Sequence, residues 1–110
     1  MLVKVKSAAN CGLEMIGIDV EVNVASRGLP AFDIVGLPDK AVAESKERVK
    51  TAILSSDAEF PNKKITGNLA PADIPKEGAS YDLPIAVGIL AATIPCQIPE
   101  RSLFFGELSL

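Results

Sequence analysis

Five residues between Pro71 and Pro84 carry side chains that could do chemistry: Asp73, Lys76, Glu77, Ser80 and Asp82. They lie in the stretch Asn68–Ala86, which runs from an expected strand end through a Pro-rich polar connection into an apolar helix. Pro71, Pro75, Pro84 and Gly78 restrict the backbone there more tightly than an ordinary linker is restricted. A stiff polar loop that empties into a helix N-terminus can position a nucleophile, hold an anion or form a well-capped corner.

Ser80 is the one candidate nucleophile. The sequence has no histidine, so a Ser-His-Asp triad is impossible and a Ser-Lys arrangement remains. Its lysine would have to be buried, so that its pKa falls and it can accept the Ser80 proton. Lys76 precedes Ser80 by one turn's worth of chain, but a Pro-flanked loop does not oblige it to face the hydroxyl. The plainer reading makes Ser80 the N-cap of the following helix, accepting from the N–H of Asp82 or Leu83.

Asp73, Glu77 and Asp82 invite a divalent cation. Their spacing does not match a calcium loop, and Asp82 suits the first helical turn as a dipole partner. No metal and no cofactor site is expected in this chain. None of the 8 glycines is followed by lysine, so the phosphate-binding signature G-x-x-x-x-G-K-[ST] is absent, and G-x-G-x-x-G is absent too.

The elements that must position these residues are legible from periodicity. Leu2–Ser7 alternates, and after the turn signal Asn10-Cys-Gly12 the alternation resumes more strongly. Ile16, Ile18, Val20, Val22 and Val24 share one face, against Gly17, Asp19, Glu21 and Asn23 on the other. This predicts a half-exposed antiparallel strand in a hairpin with the first. Ala31–Val35 reads as a third strand. Gly36-Leu-Pro38-Asp39 then opens a helix to about Ser55, with Val42, Val49 and Ile53 as its apolar stripe and Glu44–Arg48 as an outward pair. Lys64–Leu69 is the fourth strand. A nearly all-apolar, buried helix follows from about Ser80 to Thr93. Leu103–Leu110 reads as a last strand running into the chain end, which suggests part of a longer protein. The order β-β-β-α-β-α-β indicates an α+β domain, two helices packed on a mixed sheet.

Composition narrows the function. The 110 residues suit a single domain of ordinary globular balance, 48% apolar and 23% charged. The net charge of −3 gives no electrostatic footprint for nucleic acid, and this chain on its own is expected to bind DNA poorly. The nearest basic cluster, Lys46, Arg48 and Lys50, is interleaved with Glu44 and Glu47 and reads as a solvated helix face. Cys11 and Cys96 have no framework spacing and read as reduced thiols. The N-terminus is no signal peptide, and the longest apolar run, Leu83–Ala92, is too short to cross a bilayer. A cytoplasmic protein without a membrane partner is expected.

Four blocks carry a more specific signal: Gly28–Asp39 (GLPAFDIVGLPD), Glu44–Val49 (ESKERV), Asn68–Gly78 (NLAPADIPKEG) and Asp82–Ala86 (DLPIA). In this order, and across essentially the whole chain, they closely resemble the N-terminal domain of the ComM/YifB family of magnesium chelatase-related, ChlI-like AAA+ proteins. The resemblance implies a ribosomal S5 domain 2-like fold, similar to the Lon protease domain and to the C-terminal domain of RadA. It implies a following AAA+ module, outside this chain, that uses ATP and Mg²⁺ and assembles a homo-hexamer. It also implies a helicase promoting branch migration in DNA recombination during natural transformation. Residues 1–110 would be its non-catalytic N-terminal domain, assisting assembly or DNA handling and meeting DNA through the parent protein. The chelatase label does not imply chelatase activity.

The Lon comparison bears on Ser80. Pro75-Lys-Glu-Gly-Ala-Ser80 is similar to the Lon segment Pro-Lys-Asp-Gly-Pro-Ser, whose last residue is the nucleophile. Tyr81-Asp82 stands where Lon has a small Ala-Gly. Gly106–Leu110 resembles the Lon strand that precedes the catalytic lysine, which places the equivalent lysine after Leu110. Ser80 thus occupies the Lon-like nucleophile position with no catalytic role expected in this chain. The alternative is a Lon-type Ser-Lys peptidase domain cut before its general base.

Overall fold

The strict alternation of the first two strands is realised as a long hairpin. In the computed structural model, which describes residues 1–109 with the Cys11 side chain set aside, β1 (Leu2–Cys11) pairs antiparallel with β2 (Glu14–Ala25). Their register runs from Leu2 opposite Asn23 to Cys11 opposite Glu14. Gly12 makes the turn with φ +66°, a conformation glycine adopts without steric cost. The first strand therefore extends to Cys11 rather than stopping at Ser7.

β4 (Lys64–Ala70) lies on the other side of β2, antiparallel, from Asp19 opposite Ala70 to Ala25 opposite Lys64. β3 (Ala31–Val35) is parallel to β4, and the strand order is β1-β2-β4-β3. A parallel pair needs a crossover, and α1 (Lys40–Ala43) and α2 (Ser45–Ser55) supply it. α3 (Asp82–Thr93) then packs across β1 and β2 and against α2. The fold is α+β, with its two full helices on one face of a mixed four-stranded sheet. Among the described residues no helix is long and apolar enough to cross a membrane.

The core is the helix-side face. Val5, Ile18, Val20, Val22, Ile65 and Leu69 are completely buried beneath Val49, Ile85 and Ile89. The opposite face is polar. Lys6 Nζ lies 2.6 Å from Asp19 Oδ1, and the Asn68 amide donates to Glu21 Oε1 at 2.8 Å. An exposed pair of this kind contributes about 0–1 kcal/mol, whereas burying one Val or Ile contributes about 1.5–3 kcal/mol. The apolar face therefore sets the register, because a slip of one residue would turn that whole face to water.

Close approach of α3 to the sheet depends on Gly88. A Cβ built there would meet Val22 Cγ2 at 2.5 Å and Val22 Cβ at 3.0 Å. An exposed helical Gly→Ala change gains about 1 kcal/mol, but here the new methyl strikes a stiff, buried, β-branched side chain. Overpacking of about 1–3 kcal/mol should win. We expect Gly88→Ala to lower the urea midpoint at unchanged m-value, and a raised midpoint would contradict the close packing.

Three sequence expectations need correction. The single helix to Ser55 is two helices broken at Glu44. The Glu44 amide donates to Lys40 O and that of Glu47 to Glu44 O, so the chain tightens there into an i→i−3 turn. The tightened turn brings Ser45 inward, fully buried. The outward Glu44–Arg48 pair is replaced by a contact from Arg48 to Asp82. The predicted last strand does not join the sheet: residues 103–109 cross the start of α3. The amide of Phe104 bonds Lys6 O, that of Gly106 bonds Ser80 O, and that of Leu108 bonds a side chain. Three different partners make no ladder. Leu110 lies outside the described residues, as does the expectation for Cys11, and Cys96 is exposed and free.

Candidate functional site

Two loops meet at the C-terminal ends of β3 and β4. The first, residues 36–39, leaves β3 through Gly36, at φ +107°, and Leu37, at φ +55°. The second, residues 71–81, leaves β4 through three prolines' worth of constraint shared with the start of α3. They zip together where the Lys76 amide donates to Leu37 O and the Asp39 amide to Lys76 O, both at 3.0 Å. Asp39 closes the junction. Its Oδ1 accepts from Val42 N at 2.8 Å, capping α1, and its Oδ2 accepts from Gly78 N at 3.1 Å. Asp39, placed by the sequence at the opening of the helix, is thus its cap and also the anchor of the Ser80 loop.

Ser80 stands at the mouth of an open cleft of about 620 Å³ whose walls include Asn10, Met15, Glu77, Tyr81 and Phe105. It is half-buried. It does not cap the helix: α3 begins at Asp82, and Tyr81 occupies the cap position in helical geometry without a side-chain bond. The N–H groups that Ser80 was to satisfy are taken elsewhere, Asp82 N by Ala79 O at 3.2 Å and Leu83 N by Gly106 O at 3.0 Å. The arriving residues 103–109 displaced the expected cap. None of the described hydrogen bonds uses Ser80 Oγ.

Lys76 is buried, as a Ser-Lys base must be, but its ammonium donates to the Pro71 carbonyl. No described hydrogen bond joins it to Ser80. Burial pushes the Lys76 pKa down, and Asp73 offsets part of that. Tyr81, almost fully buried, is pushed up by burial and then by Asp39 and Glu77.

These shifts have opposite signs in stability. Between the lowered Lys76 pKa and the usual 10.5, the unfolded chain binds more protons, so this contribution makes stability rise with pH. For Tyr81 the contribution is present below the usual 10.0 and is lost as pH rises through the folded pKa. Lys76→Met isolates the first. From neutral pH towards 10.5 the wild type should gain stability relative to this variant, and parallel urea curves would contradict the burial of a charged amine.

Asp82 lies away from the cleft, wholly buried between the helices. It accepts from Ser45 Oγ at 2.5 Å, Arg48 Nε at 2.6 Å, Arg48 Nη2 at 3.1 Å and Leu108 N at 3.1 Å. Arg48 also donates to Ala41 O at 2.8 Å. The Asp82 hydrogen bond, more than opposing desolvation, raises the Arg48 pKa and keeps it charged. Asp82 therefore ties α2, α3 and residues 103–109 together. It stands in the first turn of α3, as the sequence predicts for a dipole partner, and is buried there; Asp73, Glu77 and Asp82 do not converge. Among the described residues no group of three or more acidic, His or Cys side chains could hold a metal ion.

Sequence reasoning missed Asn10, Met15 and Phe105 as cleft walls, because hairpin length and the path of residues 103–109 place them. It also missed the Ser45–Arg48–Asp82 network. One signal was available: a carboxylate opening an all-apolar helix is buried with it, and a buried charge needs a partner.

A mixed-sheet α+β domain with two interlocked loops at its strand ends, and a serine at the mouth of the cleft beside them, is the class these observations define. The family model described as subunit ChlI of Mg-chelatase matches residues 20–110, and the chain belongs to that family. It is 53% identical over 108 residues to the uncharacterized protein YifB of Salmonella typhimurium, covering 96% of this chain and 21% of that protein. It is 49% identical over 89 residues to the competence protein ComM of Haemophilus influenzae, covering 81% of this chain and 17% of that protein. The chain thus spans about a fifth of the length of these curated relatives, and within its family it groups with ComM and YifB.

Proposed function

We propose that residues 1–110 form a non-catalytic N-terminal domain of a ComM-like hexameric AAA+ ATPase and helicase. The domain assists assembly or DNA handling during branch migration in recombination and natural transformation. The observation that carries this reading is the 49% identity to a protein named competence protein ComM. ATP and Mg²⁺ belong to the AAA+ module of the longer protein, the homo-hexamer and DNA are its partners, and the cytoplasm is its location. In support, three charged side chains around the cleft and the start of α3 are committed to structure: Lys76 to Pro71, Asp39 to Val42 and Gly78, and Asp82 to Arg48.

Removing residues 1–110 from the longer protein should slow branch migration while leaving ATP hydrolysis by the AAA+ module measurable. Unchanged branch migration, hexamer assembly and ATPase after the deletion would remove the case for this role.

One observation favours a second reading, a Lon-type Ser-Lys peptidase domain whose lysine lies beyond Leu110. Ser80 lines an open cleft with no described hydrogen bond to its Oγ. That reading requires Ser80→Ala in the longer protein to abolish peptide turnover. We expect Ser80→Ala to leave turnover unchanged, with the unaltered protein and the variant both at the uncatalysed background.

A further inference from the structure

A second concave site lies where β3 forms the free edge of the sheet. Lys46 and Lys50, one turn apart on α2, face Lys63 at the approach to β4 across a groove of about 410 Å³. Phe32 and Phe60 form part of its floor, with ring centroids 5.7 Å apart and planes inclined by 39°. Lys50 Nζ sits 5.7 Å from the Phe60 ring centre. Arg48 is turned inward to Asp82, so the basic run seen in the sequence divides, with the arginine structural and the lysines at the groove.

We propose that this groove binds single-stranded nucleic acid, with phosphates at Lys46, Lys50 and Lys63 and a base stacked at Phe60. Charge complementarity carries the choice of an anion: the chain has a net charge of −3, yet here three lysines meet one carboxylate, Glu47. The aromatic floor carries the choice of nucleic acid. Adjoining cations and aromatic rings bind phosphate and base of one strand together, whereas an acidic peptide would use the lysines and leave the rings idle. A duplex keeps its bases stacked inside and would present no face to Phe60. The biological setting rests on the DNA-handling reading above, while the chemistry stands on the groove.

The test is photo-crosslinking of an oligothymidylate bearing 4-thiothymine to the longer protein, with the crosslinked peptides mapped. The peptide carrying Phe60 should be crosslinked. Combined Lys46→Ala, Lys50→Ala and Lys63→Ala should lower by about 2 the slope of log crosslink yield at that peptide against log salt, from about 0.7 per phosphate contact. Phe60→Leu, which preserves apolar bulk, should lose the crosslink while binding of an abasic oligomer through the lysines persists. Crosslinks confined to other peptides, or a polyglutamate competitor as effective as oligothymidylate, would overturn the proposal. If the groove is silent but deletion of residues 1–110 still slows branch migration, only this site falls. If the groove crosslinks and the deletion has no effect, the site stands and the DNA-handling reading falls.

Discussion

Asp82→Ala should destabilise the domain by about 3–5 kcal/mol, the range for removing one member of a buried ion pair. The carboxylate is fully buried, and the Arg48 side chain is only 17% exposed. The substitution would leave the guanidinium without its counter-charge, and Ser45 Oγ and Leu108 N without an acceptor. Each orphaned neutral donor costs about 1–3 kcal/mol unless water reaches it. The pair itself need not be net stabilising, because desolvation opposes it. Asp82→Leu combined with Arg48→Met should therefore recover much of the loss. Urea denaturation of the two single variants and the double variant measures the coupling. A loss below about 1 kcal/mol for Asp82→Ala would mean that the network behaves like an exposed ion pair.

Gly36→Ala is the second large effect. At φ +107° a side chain is strained by about 1–3 kcal/mol. Its Cβ would also lie 2.2 Å from Leu69 O, a backbone atom near the end of the inner strand β4, with Leu69 C and N both at 3.0 Å. A peptide group cannot swing aside as a long side chain can, so overpacking adds about 1–3 kcal/mol. Gly12→Ala is the control, because Gly12 has φ +66° but nothing within 4 Å of a built Cβ. It should cost about 1–2 kcal/mol, the left-handed penalty alone. Equal losses for the two variants would contradict the close approach of the 36–39 loop to β4. Because that loop anchors Gly78 through Asp39, Gly36→Ala should also loosen the approach to Ser80.

Much of this was legible in the sequence. Period-2 alternation in Ile16–Val24 specified both faces of β2, since every second residue had to share one environment. The all-apolar helix was recognisable as buried because it has no polar stripe to turn outward. What local pattern could not show was set by long-range competition for backbone partners. Ser80 had the chemistry of an N-cap, but Gly106 reached Leu83 N first, and no local rule announces a segment arriving from 26 residues downstream in sequence, as Leu108 does at Asp82. Arg48 looked outward on helical spacing beside Glu44. The stronger interaction was with a carboxylate that burial had stripped of water. The same competition separated Arg48 from Lys46 and Lys50, leaving the lysines at the β3 groove.

The role of Ser80 and the role of the domain can be tested on one substrate. Branch migration of a four-way DNA junction should be measured with the unaltered longer protein, its Ser80→Ala variant and the protein lacking residues 1–110. We predict a wild-type rate for Ser80→Ala and a reduced rate for the deletion. A wild-type rate for the deletion, or a Ser80→Ala rate as low as that of the deletion, would contradict a non-catalytic domain that assists DNA handling.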